Sequence, residues 1–151
     1  MLDMPEGRFT PPIRIYGRND VFDHCVRRIN RIWNTERYHI LGLIGTPFSG
    51  KRTLAGALKS WFHEETNHEG TKLKCISVEW DMKLPNVDEK AIVFIYDIER
   101  RTDEDQILAM SSKEDIFVVY TSCTDPSHRE DAKSPIRVGA VSYTHLRAHE
   151  T

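Results

Sequence analysis

The fold this chain predicts is an α/β sandwich with a mostly parallel sheet, and three observations predict it. Apolar runs of strand length alternate with helical patterns, as in strand–helix–strand units. Two of those runs, Ala91-Ile92-Val93-Phe94-Ile95-Tyr96 and Ile116-Phe117-Val118-Val119-Tyr120, are continuous, which suits strands covered on both faces. The third observation is a glycine-framed loop, Gly45-Thr46-Pro47-Phe48-Ser49-Gly50-Lys51, between an apolar strand and a helical pattern. Main-chain N–H groups at a helix N-terminus face an anion there and a lysine reaches terminal phosphates, so this loop reads as a phosphate cradle.

A length of 151 residues supports one domain with its own core, and a net charge of −2 with 39% hydrophobic residues is that of an ordinary soluble domain. Such a balance neither demands nor excludes a nucleic-acid partner. Cys25, Cys75 and Cys123 are odd in number and far apart, which argues for free thiols in a reducing compartment. No apolar run approaches the ~20 residues that cross a bilayer, and the first residues lack a basic-then-apolar leader. The expected location is the cytoplasm, with no membrane partner.

Residues 1–12 are proline-rich and read as an irregular arm. Ile13 to Arg18 is a short alternating segment, and Asn19 or Asp20 is placed to cap the helix that follows. Phe22, Cys25, Val26, Ile29, Ile32 and Trp33 form one apolar stripe on that helix, with Arg27, Arg28, Asn30 and Arg31 on a solvated face. Tyr38 to Ile44 is the strand feeding the loop. The next helix starts near Lys51, buries Leu54, Leu58, Trp61 and Phe62, and fades in a polar turn from His63 to Gly70. A zinc reading of His63, Glu64 and His68 fails, because one helix face needs histidines four apart and these are five apart.

A second strand covers Leu73 to Trp80. Asp81-Met82-Lys83 has no partner acid at defined spacing and carries no nuclease reading. After the run ending at Asp97, Thr102 is expected to cap a short helix whose first turn holds Asp103, Glu104 and Asp105, where the dipole favours acids. The fourth strand runs into Thr121-Ser122-Cys123-Thr124, and Asp125 to Lys133 reads as a charged loop. Ligands of parallel sheets sit at the carboxyl ends of the strands. Three such ends are polar here: Gly45 to Thr53, Asp97 to Glu99, and Thr121 to Cys123.

Together these pieces resemble the P-loop ATPases of the AAA+ and STAND type, over roughly residues 13–124. The resemblance implies a three-layer P-loop NTPase sandwich. Tyr16-Gly17-Arg18 is similar to the hydrophobic-Gly-Arg element that lines an adenine pocket, with Ile13 and Ile15 beside it. Gly45, Thr46, Pro47, Phe48, Ser49, Gly50, Lys51, Arg52 and Thr53 resemble the loop that binds the phosphates of ATP or another nucleotide. Asp97 matches the aspartate that holds Mg²⁺ through water, and Thr121 matches a polar sensor. Homo-oligomers of the full-length protein are a further implication.

Residues 141–151 resemble one reading frame of a transposase-type sequencing adapter and are set aside, so His145 and His149 are not ligand candidates. The expected natural domain is then 13–139, truncated before a last strand beside the loop strand and a helical lid. That leaves an unpaired sheet edge as an expectation.

Departures from the resembled pattern fall on the chemistry. Arg52 stands where a Ser or Thr hydroxyl binds Mg²⁺, which puts the metal in doubt. Thr53 is turned about 100° away on the helix, a poor substitute. Ile98 occupies the usual place of the catalytic acid, leaving Glu99 as the candidate base beside Asp97, and Cys123 replaces a sensor arginine. Phosphoryl transfer rests on positioning and on neutralised charge. The expected function is therefore an ATP-binding regulatory switch with weak or absent hydrolysis, Arg52 standing in partly for the metal. The alternatives are an active AAA+ ATPase acting on DNA or protein, and a degenerate P-loop fold serving as an interaction domain.

Overall fold

The computed structural model describes residues 19–47, 49–68, 73–124 and 136–137. In chain order these form α1 (Asn19–Thr35), β1 (Ile40–Ile44), α2 (Lys51–His68), β2 (Lys74–Val78), β3 (Ala91–Ile95), a 3₁₀ turn (Ile98–Arg100), α3 (Glu104–Ser111), β4 (Ile116–Ser122) and β5 (Ile136–Arg137). The strands lie in the order β2-β3-β4-β1-β5, and every pairing is parallel.

Strand side chains alternate between two cores, as a period of two requires. Leu41 and Leu43 of β1, Ile92 and Phe94 of β3, and Phe117 and Val119 of β4 join α1 and α2 on one face. Ile40, Val93, Ile95, Ile116, Val118 and Tyr120 join Ile107 and Met110 of α3 on the other. The result is the three-layer sandwich expected from the continuous apolar runs. All six residues of the α1 stripe are buried, as are Leu54, Ala55, Ala57, Leu58, Trp61 and Phe62 of α2.

Gly42 of β1 is opposite Tyr120 of β4. A Cβ on Gly42 would collide with the Tyr120 ring, so the absence of a side chain lets the aromatic cross the strand. At the amino end of the sheet, Trp33 donates its indole N–H to Glu114 O at 2.9 Å. His39 approaches Lys113 O through Nδ1 at 3.0 Å, and the two contacts fasten the turn before β4.

Several boundaries differ from the sequence reading. Asn19 and Asp20 lie inside the first turn of α1. Rather than fading at His63, α2 continues to His68, because loss of an apolar stripe ends burial but not main-chain hydrogen bonding. The residue preceding α3 is Asp103, and Asp103 makes no side-chain cap bond; its carboxylate instead receives Arg101 at 2.9 and 2.8 Å. β5 pairs with β1 at Leu43 and Ile44, ahead of Gly139, where the fifth strand was not expected. Two residues carry no periodicity, so this strand was invisible, but buried Ile136 earns its place by packing with the α1–α2 core. The loop expected over Asp125 to Lys133 and residues 1–12 and 141–151 lie outside the described residues.

Candidate functional site

The chain leaves β1 toward α2 and β2 on one side, and leaves β4 toward β5 on the other. A crevice therefore opens between the carboxyl ends of β1 and β4, where connections diverge and parallel sheets take ligands. Gly45 N–H donates to Ser122 O at 3.1 Å and carries the β1–β4 ladder to its rim. The loop then turns, Ser49 N–H donating to Thr46 O at 3.1 Å. Gly50 has φ 90°, a left-handed conformation that glycine takes without steric cost, and α2 begins at the next residue.

Lys51 is buried, with 6% of its surface exposed. Its ammonium donates to Thr46 O at 3.0 Å and approaches Cys123 Sγ at 3.4 Å, bridging the loop to the end of β4. Arg52, one position on, turns the other way. It makes a two-pronged bond to the Glu79 carboxylate, lies 3.6 Å from Asp97 Oδ2, and stacks 4.5 Å above the Tyr96 ring. The Glu79 carboxylate is held below its ordinary pKa chiefly by the hydrogen bond from Arg52. Tyr96 is raised, first by burial. Glu79 is itself anchored, because Arg101 donates to its main-chain oxygen at 2.9 Å.

Asp97 follows β3 in a left-handed conformation, φ 57° and ψ 52°, which aspartate tolerates better than most residues. The Thr121 hydroxyl accepts its N–H at 2.9 Å and holds it there. The following 3₁₀ turn buries Ile98 in the α3-side core and brings Glu99 to the rim, where its carboxylate accepts the Cys123 N–H at 3.3 Å.

These residues enclose a cavity of about 600 Å³, lined by the loop, by Lys51, Arg52 and Thr53, and by Asp97, Glu99, Arg100 and Cys123. The expected residues Pro47, Ser49 and Gly50 line it, whereas Gly45 and Thr46 do not, Gly45 N–H being bonded to Ser122 O and Thr46 O to Ser49 N–H. Thr53 reaches the cavity despite its turn around the helix. Thr121 is buried with its hydroxyl on Asp97, so it supports the wall rather than forming it. Tyr16, Gly17, Arg18 and Phe48 lie outside the described residues. Sequence reasoning missed Glu79 and Tyr96; the only signal was that an arginine in place of a hydroxyl needs a nearby anion.

These residues do not fit a bound magnesium ion. The side chain that would present an oxygen presents a guanidinium, and that cation also lies against Asp97. Two unit charges roughly 4 Å apart repel by about 1 kcal/mol in water and about 4 kcal/mol at an effective dielectric of 20; a divalent ion doubles either figure. Among the described residues no cluster of three His, Cys, Asp or Glu is placed to hold a metal. No helix there is long and apolar enough to cross a membrane. Cys25, Cys75 and Cys123 are free thiols.

Known structures place the fold. PCH-2 of C. elegans, an AAA+ ATPase, superposes with a TM-score of 0.57 at 14% identity, over 85% of this chain and 44% of that one. The chain thus shares the three-layer P-loop sandwich fold of that neighbour and spans under half its length. No family model matches the chain, and no curated protein does.

Proposed function

We propose that the chain is an AAA+-like nucleotide-binding module, taking ATP or another nucleoside triphosphate in the crevice between β1 and β4 and hydrolysing it slowly or not at all. One observation carries the reading: the buried Lys51 and the Asp97 carboxylate line one cavity beside the glycine-framed loop. In this reading the loop amides and Lys51 hold the phosphates. Asp97 and Glu99 face the terminal phosphate and any water beside it. A switch of the STAND signalling kind follows from binding without efficient turnover, since occupancy then persists.

Chemistry supports slow turnover. With no metal oxygen ligand at Arg52, one of the terms that neutralise phosphoryl transfer is weakened, and such terms carry several kcal/mol of barrier. One observation favours the active-ATPase alternative. Glu99 lines the cavity, so a carboxylate is available as base even though Ile98 is buried.

Calorimetric titration with ATP, paired with phosphate-release measurements, separates the readings. Saturable binding with negligible release supports the switch, and release at an ordinary ATPase rate that Glu99→Gln abolishes supports the active enzyme. An absence of binding by any nucleoside triphosphate overturns both and leaves an interaction domain.

A further inference from the structure

We infer that this site takes its nucleotide as the metal-free polyphosphate, with the Arg52 guanidinium occupying the charge position of a divalent cation. The inference rests on the nucleotide reading above and names the ionic form that the site selects.

Arg52 is no stray surface charge. Glu79 grips it through two hydrogen bonds, the Tyr96 face supports it at 4.5 Å, and Asp97 lies 3.6 Å away. Each restraint comes from the carboxyl end of β2 or β3, and Arg101 fixes the main chain of Glu79 from below. A planar guanidinium seated on a carboxylate and an aromatic is pre-organised, so little freedom is lost in keeping it there.

Its position matters as much as its rigidity. Arg52 lines the cavity with Lys51 and Arg100, so three cations against the carboxylates of Asp97 and Glu99 surround the space a polyphosphate would enter. A dication arriving with the nucleotide meets a fixed positive charge beside Asp97, the carboxylate that would otherwise receive it. The metal-free nucleotide carries more negative charge and no conflicting cation. With magnesium in excess the metal-free fraction falls, and apparent affinity falls in proportion to it.

The test is equilibrium titration of the chain with ATP, in EDTA and in a millimolar excess of magnesium chloride. Apparent affinity should be at least about tenfold tighter in EDTA, and Arg52→Thr should reverse that order. Manganese, followed by its electron paramagnetic resonance, should not bind the wild-type chain with ATP present. Equal or tighter binding in magnesium overturns the inference and leaves the nucleotide reading standing. Failure of ATP to bind in either buffer overturns both. Because the wild-type chain decides the matter, a poorly folded variant does not shield the inference.

Discussion

Lys51 and Arg52 are consecutive residues with opposite fates. Lys51 is buried in the crevice, joined to its own loop and to Cys123. Arg52 is half-exposed on the outer rim, joined to Glu79 and Asp97. About 100° of helix rotation separates them, and in the proposed nucleotide site it would sort two tasks into two places. The crevice would supply the donors to an anion, whereas the rim, where a metal's oxygen ligand would stand in that reading, holds a cation. One side chain can thus change the metal chemistry of a strand–loop–helix without altering its main chain.

The sharpest separation of crevice from core is chemical. Burial pushes the Cys25 thiol up from 9.0 to about 12 and that of Cys75 to about 11. At a given pH that shift leaves Cys25 with about a thousandfold less thiolate than an ordinary thiol. Cys123 lines the cavity instead. A maleimide added to the native chain should therefore modify Cys123 first, with peptide mass spectrometry as the readout, and ATP should slow that reaction. Labelling of Cys25 at a matching rate would mean that the α1 core opens readily.

Next in size is Lys51→Ala. In the proposed site it removes a charged donor to phosphate, worth about 2–3 kcal/mol, or roughly a 30- to 150-fold loss of ATP affinity by calorimetry. Arg52→Ala, at a half-exposed position, should cost less than this, and its loss should appear in EDTA, where the guanidinium stands in for the metal, rather than in magnesium. Equal losses at the two positions would erase the division between crevice and rim.

How much of this was legible beforehand depended on range. The α1 stripe and the β3 and β4 runs announced themselves, because burial writes a local period into Phe22 through Trp33 and a continuous apolar run into Ala91 through Tyr96. The loop was legible for the same reason: Gly45, Gly50 and Lys51 are a short-range pattern. By contrast, Glu79 meets Arg52 across 27 positions, and no local spacing signals such a pair. The resemblance to AAA+ and STAND ATPases marks Thr121 as a polar sensor, but the left-handed Asp97 it supports has no sequence signature. β5 was too short to show a pattern at all.

Thr121→Val keeps shape and removes the acceptor of the Asp97 N–H. A donor in a part-buried site is then left unmatched, and denaturant unfolding should register a loss of about 1–3 kcal/mol. ATP affinity should fall as Asp97 and the 3₁₀ turn relax. Unchanged stability would show that the left-handed conformation at Asp97 holds without its pin.

The smallest expected effect is on stability at the rim. Arg52 and Glu79 are half-exposed, so solvent screens them, and a double-mutant cycle with Arg52→Ala and Glu79→Ala should give a coupling below about 1 kcal/mol. Its pH dependence has a definite sign. The folded-state pKa of Glu79 lies below its ordinary 4.5, so the folded protein holds fewer protons there than the unfolded chain in that range. The contribution is therefore complete above pH 4.5 and disappears as the pH falls through the lowered value. Asp103, depressed mainly by its hydrogen bond from Arg101, follows the same rule below its ordinary 3.8. At neutral pH the Arg52–Glu79 pair is consequently intact, and mild acidification should not free the guanidinium. A coupling that vanished between pH 7 and 6 would mean that something other than the Glu79 carboxylate holds Arg52 in place.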